Sequence, residues 1–480
     1  MNIKQRSAKK GKSNPGEYDY DLIVIGCGPA GQRGAIQAAK LRKKVAIIDH
    51  RSVVGGVCVN TGTIPSKSFK EAVVYLSGYR QRSIYGAGYT VKSDIEMSDL
   101  TFRCDYIMQA EINIITSQLK RNHVEVVFGH ARFVDPHTVE IQTPDGSILK
   151  SSDKFLIATG ARPHQPDNIE INGRNIFNSD DILNLSQLPR AMTVVGGGVI
   201  GAEYASMFAA LGVDVTIIDA RRRLLPFVDQ EIIDCFQYHL RSMGVTLRLG
   251  EEVESCITRE DGQVVTTLKS GKVVVTDVVL ISAGRQAATD DLGLDIIGLS
   301  VEERGRLEVN ATYQTSIPHI HAAGDVIGFP ALASTSGDQG RLAVCGAFNI
   351  PGKTREVPLP YGIYSIPEIS MIGPTEETLT QLGVPYEIGI ARYREIARGQ
   401  LIGDVNGMLK IIFNRETQQL LATHVIGESA TELVHIGQSV IALGGGLEYL
   451  LDAVFNYPTL AECYKVAALD GFNKVRTQKL

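Results

Sequence analysis

No apolar run in the 480-residue sequence is long enough to span a bilayer; glycine and charge break the longest ones within about ten residues. The basic opening segment MNIKQRSAKKGKSNPGE lacks the apolar stretch of a secretory signal and reads as a disordered arm over residues 1–17. There is no surplus of positive charge either. The 48 Lys and Arg stand against 53 Asp and Glu, a formal net charge of −5, which offers no basic face to nucleic acid. The seven cysteines, at 27, 58, 104, 235, 256, 345 and 463, lack the spacing of a metal-ligand set or of a secreted disulfide framework. They read as reduced thiols, most of them small buried hydrophobes. These absences predict a cytoplasmic protein with no membrane span, no metal and no nucleic-acid partner. What remains is a globular composition, 44% hydrophobic and 21% charged, in a chain too long for one core and so divided into two or three domains.

The first ordered segment, YDYDLIVIGCGPAGQRGAIQAAKLRKKVAIID, alternates a continuous apolar strand, a glycine turn, an Ala-rich helix and a second apolar strand ending in Asp49. Continuous apolar strands alternating with helices indicate a parallel sheet covered on both faces. Gly26, Gly28 and Gly31 fall where the strand turns into the helix, at G-x-G-x-x-G spacing. The three glycines meet three steric demands, namely a tight turn, close backbone approach to a pyrophosphate, and close helix-on-strand packing. The helix N-terminus offers its N–H groups to the phosphates, and Asp49 can accept hydrogen bonds from an adenosine ribose. The pattern recurs in MTVVGGGVIGAEYASMFAALGVDVTIIDARRR, with Gly196, Gly198 and Gly201 in the turn and Asp219 closing the next strand. Two such units imply two dinucleotides, between which electrons pass.

Two further strand-to-turn landmarks flank the second unit: KFLIATGARP, with Thr159 and Gly160, and HIHAAGDVIG, with Gly324 and Asp325. The second unit is therefore expected to be inserted in the first domain. The expected division is a dinucleotide domain over 18–165 and 290–357, a second over 166–289, and a third domain over 358–480, where GIYSIPEISMIG and GMLKIIFNRETQQLLATHVIG read as an antiparallel sheet followed by helices. The fold class is α/β, two Rossmann-like domains plus a C-terminal α+β domain.

The order of these motifs resembles the flavoprotein disulfide reductases, the group of dihydrolipoamide dehydrogenase and glutathione reductase, from Tyr18 onward. The resemblance implies that Gly26, Gly28, Gly31, Asp49, Thr159, Gly160, Gly324 and Asp325 hold FAD, and that Gly196, Gly198 and Gly201 lie under the pyrophosphate of a nicotinamide nucleotide. It also implies that Lys67, in the segment GGVCVNTGTIPSK with Cys58 and Thr63, stands beside the flavin and pairs with Glu203. Such an ammonium withdraws electron density from the ring, and its carboxylate partner keeps it charged and oriented. Ala333, in LAST, opens a helix expected to face the flavin's pyrimidine edge. Gly284 and Arg285, in GRQAAT, resemble the family's Gly-Arg-x-Pro-Asn element without its Pro and Asn.

Two departures fall on the parts peculiar to disulfide chemistry. Thr63 stands where the family's second loop thiol would be, so Cys58 has no loop partner with which to form a reversible disulfide. Near the C-terminus the segment FNYPTLAECYK has Tyr457 in place of the family's proton-shuttling histidine, with Pro458, Thr459 and Glu462 kept. A phenol holds its proton at neutral pH where an imidazole exchanges it. Both nucleotide motifs are intact. The combination resembles the transhydrogenase branch of the family, which implies hydride entering from NADPH, resting on FAD and leaving to NAD. Asp219 suits a free ribose 2′-hydroxyl, while Arg221, Arg222 and Arg223 are candidates for a 2′-phosphate. Val199 is small enough to leave a nicotinamide pocket open, or else packs on the sheet. Discharge of the flavin to quinone, oxygen or dyes, a dihydrolipoamide dehydrogenase-like protein that has lost its redox disulfide, and a non-catalytic nucleotide-sensing role are the alternative readings. The resemblance also implies a homodimer or higher homo-oligomer in which Tyr457 and Glu462 approach the partner's flavin. His424 and His435 are assigned no role.

Overall fold

The computed structural model describes residues 18–352 and 358–477, so the expected arm over 1–17 lies outside the described residues. The chain divides into two compact units, one of Met1–Asn60, Gln109–Arg162 and Gln286–Lys353, the other of Thr61–Met108, Pro163–Arg285 and Thr354–Leu480.

In the first unit the strand Tyr20–Ile25 is the centre of a parallel sheet. Leu22, Ile23 and Val24 are each 0% exposed, as a strand covered on both faces requires. Val45–Asp49 pairs along one side, followed by Glu125–Phe128; Gly146–Ile157 pairs along the other, with Ile23 opposite Phe155, followed by Ile320–Ala322. The antiparallel strands His130–Asp135 and Thr138–Thr143 extend the sheet from the first half of Gly146–Ile157. Phe133 and Phe155 meet edge to face in the core at 4.9 Å. The helices Pro29–Lys40 and Ala333–Ala347 approach backbone to backbone. A Cβ on Gly340 would lie 2.0 Å from the Ala30 carbonyl oxygen, and one on Gly34 would lie 2.5 Å from a Leu156 methyl.

The second unit repeats the arrangement. Its parallel sheet has the order Thr246–Leu249, Asp214–Asp219, Ala191–Val195, Val278–Ile281, Ile176–Asn178. The helix Val199–Ala210 is buried along its whole length from Gly201, which explains its lack of a polar face. A three-stranded antiparallel sheet, Val253–Thr258, Val264–Leu268 and Val273–Thr276, is appended. The C-terminal part is a five-stranded antiparallel sheet, Tyr361–Ile363, Ile369–Ile372, Leu420–Ile426, Met408–Asn414 and Tyr386–Arg392, with the helices Ala430–Ala442 and Glu462–Thr477. Glu462–Thr477 packs close to the edge strand: a Cβ on Gly389 would lie 1.9 Å from the Ala467 carbonyl oxygen. The fold class is the α/β one that the sequence predicts, two Rossmann-like modules and a C-terminal α+β module.

A buried ionic node ties the C-terminal sheet to the second Rossmann-like module. Lys410 is 0% exposed, and its ammonium reaches Asp229 (2.9 Å), Glu231 (3.1 Å) and Glu376. Burial acts to lower its pKa, but the carboxylates prevail and hold it above the ordinary lysine value. Among the described residues no helix is long and apolar enough to cross a membrane.

The contact at Gly340 gives a direct test. Gly→Ala inside an exposed helix normally stabilises, by up to about 1 kcal/mol. At Gly340 the methyl would meet a backbone oxygen, so Gly340→Ala is expected to destabilise by about 1–3 kcal/mol. A fall of several degrees in Tm with loss of FAD from the purified protein is the expected result; an unchanged or raised Tm would show that the two helices can separate freely.

Candidate functional site

In the first unit the residues singled out at the sequence level gather at one edge, because each of four parallel strands ends in one of them. Tyr20–Ile25 runs into Gly26, Val45–Asp49 ends on Asp49, Gly146–Ile157 runs into Thr159 and Gly160, and Ile320–Ala322 into Gly324 and Asp325. The carboxyl edge of a parallel sheet is where such folds bind nucleotides. Gly26 has φ +105, and a Cβ on it would lie 2.3 Å from the Ala158 carbonyl oxygen; a Cβ on Gly31 would lie 1.9 Å from that of Gly26. A Cβ on Gly28 meets nothing within 4 Å, so glycine there opens the backbone to approach from outside the protein. Gly28 is also the N-cap of Pro29–Lys40 and gives it no side-chain cap, which leaves the first-turn N–H groups to an anion.

Asp49 is 3% exposed and braces this turn, accepting from the N–H groups of Cys27 (2.7 Å) and Arg51 (2.9 Å). Burial pushes the Cys27 thiol up to about 12, so it is an inert packing group. Thr159 Oγ1 is buried with no hydrogen-bond partner among the described residues, a polar atom that a bound ligand would satisfy. Gly160 has φ +73 with nothing within 4 Å of its Cβ position. The Gly324 N–H donates to Gln339 (2.9 Å), Ser336 Oγ donates to Asp325 (3.2 Å), and Ala333 is the first residue of Ala333–Ala347. These glycine openings, the uncapped helix and the orphan hydroxyl fit a dinucleotide.

The second unit holds the counterpart. Gly196 has φ +101, with its Cβ position 2.5 Å from the Ser282 carbonyl oxygen; that of Gly201 is 1.9 Å from the Gly196 carbonyl oxygen, and that of Gly198 meets nothing within 4 Å. Ser282 Oγ donates to the carbonyls of Val195 (2.9 Å) and Gly196 (2.8 Å), a clasp on the turn that no sequence motif announced. Asp219, 5% exposed, accepts from the N–H groups of Gly197 (2.5 Å) and Arg221 (2.8 Å). The Arg221 guanidinium also folds back onto it, Nε on one carboxylate oxygen at 2.9 Å and Nη2 on the other at 2.6 Å. Burial works to raise the Asp219 pKa, but these bonds hold its carboxyl below the ordinary range. Arg222 is exposed and has no ion-pair partner among the described residues. Arg223 is committed to Glu377 (3.2 Å) and the Val228 carbonyl, so it is turned away from Asp219. Val199 packs against the core. Gly284 has φ +104 and accepts from the His164 N–H at 3.0 Å, and Arg285 lies 3.4 Å from Asp180.

The segment Gly55 to Lys67 becomes two helices, Gly56–Asn60 and Thr63–Leu76. The Gly56 Cβ position is 2.8 Å from Gly28 Cα, so the loop starts hard against the first glycine turn, and Cys58 is half-buried on the short helix. Thr63 is the first residue of the longer helix. One turn on, Lys67 Nζ lies 2.6 Å from Glu203 Oε2, with Glu203 side-chain exposure at 4% and that of Lys67 at 24%. The other Glu203 oxygen accepts from the Tyr364 N–H (2.8 Å), and the ammonium stands 5.0 Å from the centre of the Tyr364 ring. Lys70, also one turn on and buried, is paired with Glu368, whose other oxygen accepts from Thr431 Oγ1 (2.8 Å). The helix carrying Lys67 is thus pinned to the C-terminal sheet. Tyr457 is 76% exposed. Glu462 begins the last helix and accepts from the Thr459 N–H at 3.4 Å.

Residues 20–340 match the family described as pyridine nucleotide-disulphide oxidoreductase, and residues 359–468 match its dimerisation domain. The chain belongs to the pyridine nucleotide-disulphide oxidoreductases. Among curated relatives, the soluble pyridine nucleotide transhydrogenase of Mycobacterium bovis is 52% identical over 460 residues, covering 95% of this chain and 98% of that protein. The one from Shigella flexneri is 42% identical over 466 residues, covering 96% and 100%. Among solved structures, the HOCl-induced flavoprotein disulfide reductase RclA of Escherichia coli superimposes with a TM-score of 0.85 at 28% identity, covering 94% of this chain and 99% of that one. LpdA of Mycobacterium tuberculosis does so with a TM-score of 0.86 at 26% identity, covering 93% and 99%.

Within this pyridine nucleotide-disulphide oxidoreductase, sequence reasoning missed the groups that hold the lysine in place: Tyr364, Lys70 and Glu368. Tyr364 acts through its backbone N–H and ring face, which carry no sequence signature. Burial raises its pKa above the ordinary tyrosine value, so the ring is neutral beneath the ammonium. The Lys67–Glu203 pair is testable by a double-mutant cycle of Lys67→Met, Glu203→Gln and the double variant. A coupling of about 1 kcal/mol in thermal unfolding is expected, modest because Lys67 is partly hydrated. Strict additivity would show that the pair contributes no coupling.

Proposed function

We propose that this protein is a soluble, FAD-dependent transhydrogenase that moves hydride between NADPH and NAD through one nicotinamide-nucleotide site used in turn by both. The observation that carries the reading is Thr63 at the head of the helix that bears the paired Lys67: the flavin-side ammonium is kept while the second thiol is gone. Relatives that share the chain's full length carry the same activity in their names. Bound FAD would supply a two-electron acceptor and donor of hydride.

The chain's own residues supply position and charge. Gly26, Gly28 and Gly31, with Asp49, Thr159, Gly160, Gly324, Asp325 and Ala333, hold the FAD. Cys58 packs in the loop against it. Gly196, Gly198, Gly201 and Gly284 hold the nicotinamide nucleotide by its backbone, and Asp219, Arg221 and Arg222 read its adenosine ribose. Lys67, held in place by Glu203 and Tyr364, favours hydride arrival at the flavin. Both nucleotides present the same nicotinamide, so one alignment serves entry and exit, and reaction follows from orientation rather than from proton transfer by a side chain. The dimerisation domain supports a homo-oligomer. In our reading this is at least a homodimer in which Tyr457 and Glu462 serve the partner's site, the exposed Tyr457 ring covering it against water. The reading places the protein in the cytoplasm.

Anaerobic titration tests the electron count. One equivalent of NADPH per FAD is expected to bleach the flavin absorbance without a long-wavelength thiolate band, and NAD is expected to restore it. Uptake of four electrons with a stable long-wavelength band, or no recovery with NAD, would overturn the proposal. Mixing tests the assembly. Co-expressed Lys67→Ala and Tyr457→Ala chains, each first shown impaired, are expected to regain up to about a quarter of wild-type turnover, since random pairing rebuilds one intact site per mixed dimer. No recovery beyond the parents' sum would place Tyr457 in its own chain's site.

A further inference from the structure

The two Rossmann-like modules of this chain brace their ribose-reading acids in the same way and then differ in one interaction. Asp49 and Asp219 each accept one N–H from the glycine turn and one from the residue two positions on, which is an arginine in both cases. Arg51 gives Asp49 only that backbone bond, and the ion-pair contact that Asp49 makes is with the His50 ring at 3.5 Å. Burial lowers the pKa of His50, which favours its neutral form. Among the described residues Asp49 therefore has no guanidinium cover, and it keeps spare acceptor positions for ribose hydroxyls. Arg221, in contrast, turns the Nε–Nη2 edge of its guanidinium to Asp219 and donates one bond to each carboxylate oxygen.

That difference decides what each acid can tolerate. A bare buried carboxylate at this position accepts a 2′-hydroxyl and repels a 2′-phosphate, two like charges meeting in a poorly hydrated place. A carboxylate already covered by a guanidinium is a neutral pair that no longer repels the phosphate. The cover is also movable. The Arg221 side chain is 49% exposed while that of Asp219 is 4% exposed, so the arginine can leave the carboxylate to a ribose hydroxyl without unfolding anything. Arg223 cannot take this part, being held by Glu377 and the Val228 carbonyl.

We infer that Arg221 is a specificity-determining residue that lets one site accept both NADPH and NADH: it screens Asp219 when a 2′-phosphate enters and uncovers it when a 2′-hydroxyl does. The inference rests on the proposed use of one site by both nucleotides, and it makes Arg221 a charge-compensating cover rather than only a phosphate ligand. The test uses the FAD-loaded protein and two probes that differ only in the 2′-phosphate, adenosine 2′,5′-bisphosphate and adenosine 5′-monophosphate, with binding measured by calorimetry.

In Arg221→Ala, Kd for the bisphosphate is expected to rise on the order of tenfold or more, because a charged contact is lost and a bare carboxylate appears. Kd for the monophosphate is expected to stay within about threefold, as for an exposed group that the monophosphate does not need. Adding Asp219→Asn to Arg221→Ala removes the uncovered charge and keeps an acceptor for the Gly197 N–H, so it is expected to recover bisphosphate binding by about threefold or more. A double variant no better than Arg221→Ala, or equal weakening of both probes in Arg221→Ala, would overturn the inference. Failure of the parent reading shows separately, as a wild-type flavin that only one of NADPH and NADH can bleach.

Discussion

The constraint on which both nucleotide turns depend is a contact that leaves no room for a single methyl group. In each Rossmann-like module the helix after the first strand sits so low over its own turn that a Cβ on its third residue would lie 1.9 Å from the carbonyl oxygen of the turn's first glycine. The geometry of both candidate nucleotide turns follows from that seating. The helix axis is brought over the sheet edge, its uncapped first-turn N–H groups face outward, and the acid at the end of the neighbouring strand reaches the turn with its carboxylate. The same distance recurring in two separate stretches of sequence is what steric necessity produces.

On that base the fold buries a few charges and gives each of them a partner. Glu203 would be an unfavourable buried anion without Lys67 and the Tyr364 N–H. Lys410 would be an unfavourable buried cation without Asp229, Glu231 and Glu376. The first pair is the one that the proposed function uses; the second cluster fixes the strand Met408–Asn414 to the helix Gln230–Ser242. Loss of Lys67 would leave Glu203 buried with only the Tyr364 N–H, whereas Lys410 keeps two carboxylates when one of its three is removed.

Much of this was legible in the sequence, for physical reasons that differ by residue. Gly26, Gly31, Gly196 and Gly201 are readable because only glycine fits where backbone meets backbone, and Asp49 and Asp219 because their place at a strand end is fixed by the period of the fold. Lys67 and Glu203 came from a resemblance, since no local pattern links two positions so far apart in the chain. Tyr364 and Ser282 were invisible, because one acts through its backbone and ring face and the other through a hydroxyl that any loop serine possesses. The direction of the three arginines was undetermined for a different reason. Consecutive residues leave a turn on different sides, and only the tertiary partners show that Arg223 goes to Glu377 while Arg221 returns to Asp219.

The helix Val199–Ala210 has a consequence that comes from its length rather than its chemistry. Its N-terminus presents the backbone of Gly198 and Val199, and Glu203 lies little more than one turn further along the same buried rod, about 6 Å by helical rise. There is no hinge between the two places. The turn at Gly198 and the Glu203 carboxylate are thus two ends of one continuous, buried helical segment. A substitution that tilts or shifts this helix at either end is therefore expected to displace both the Gly198 turn and the Glu203 carboxylate.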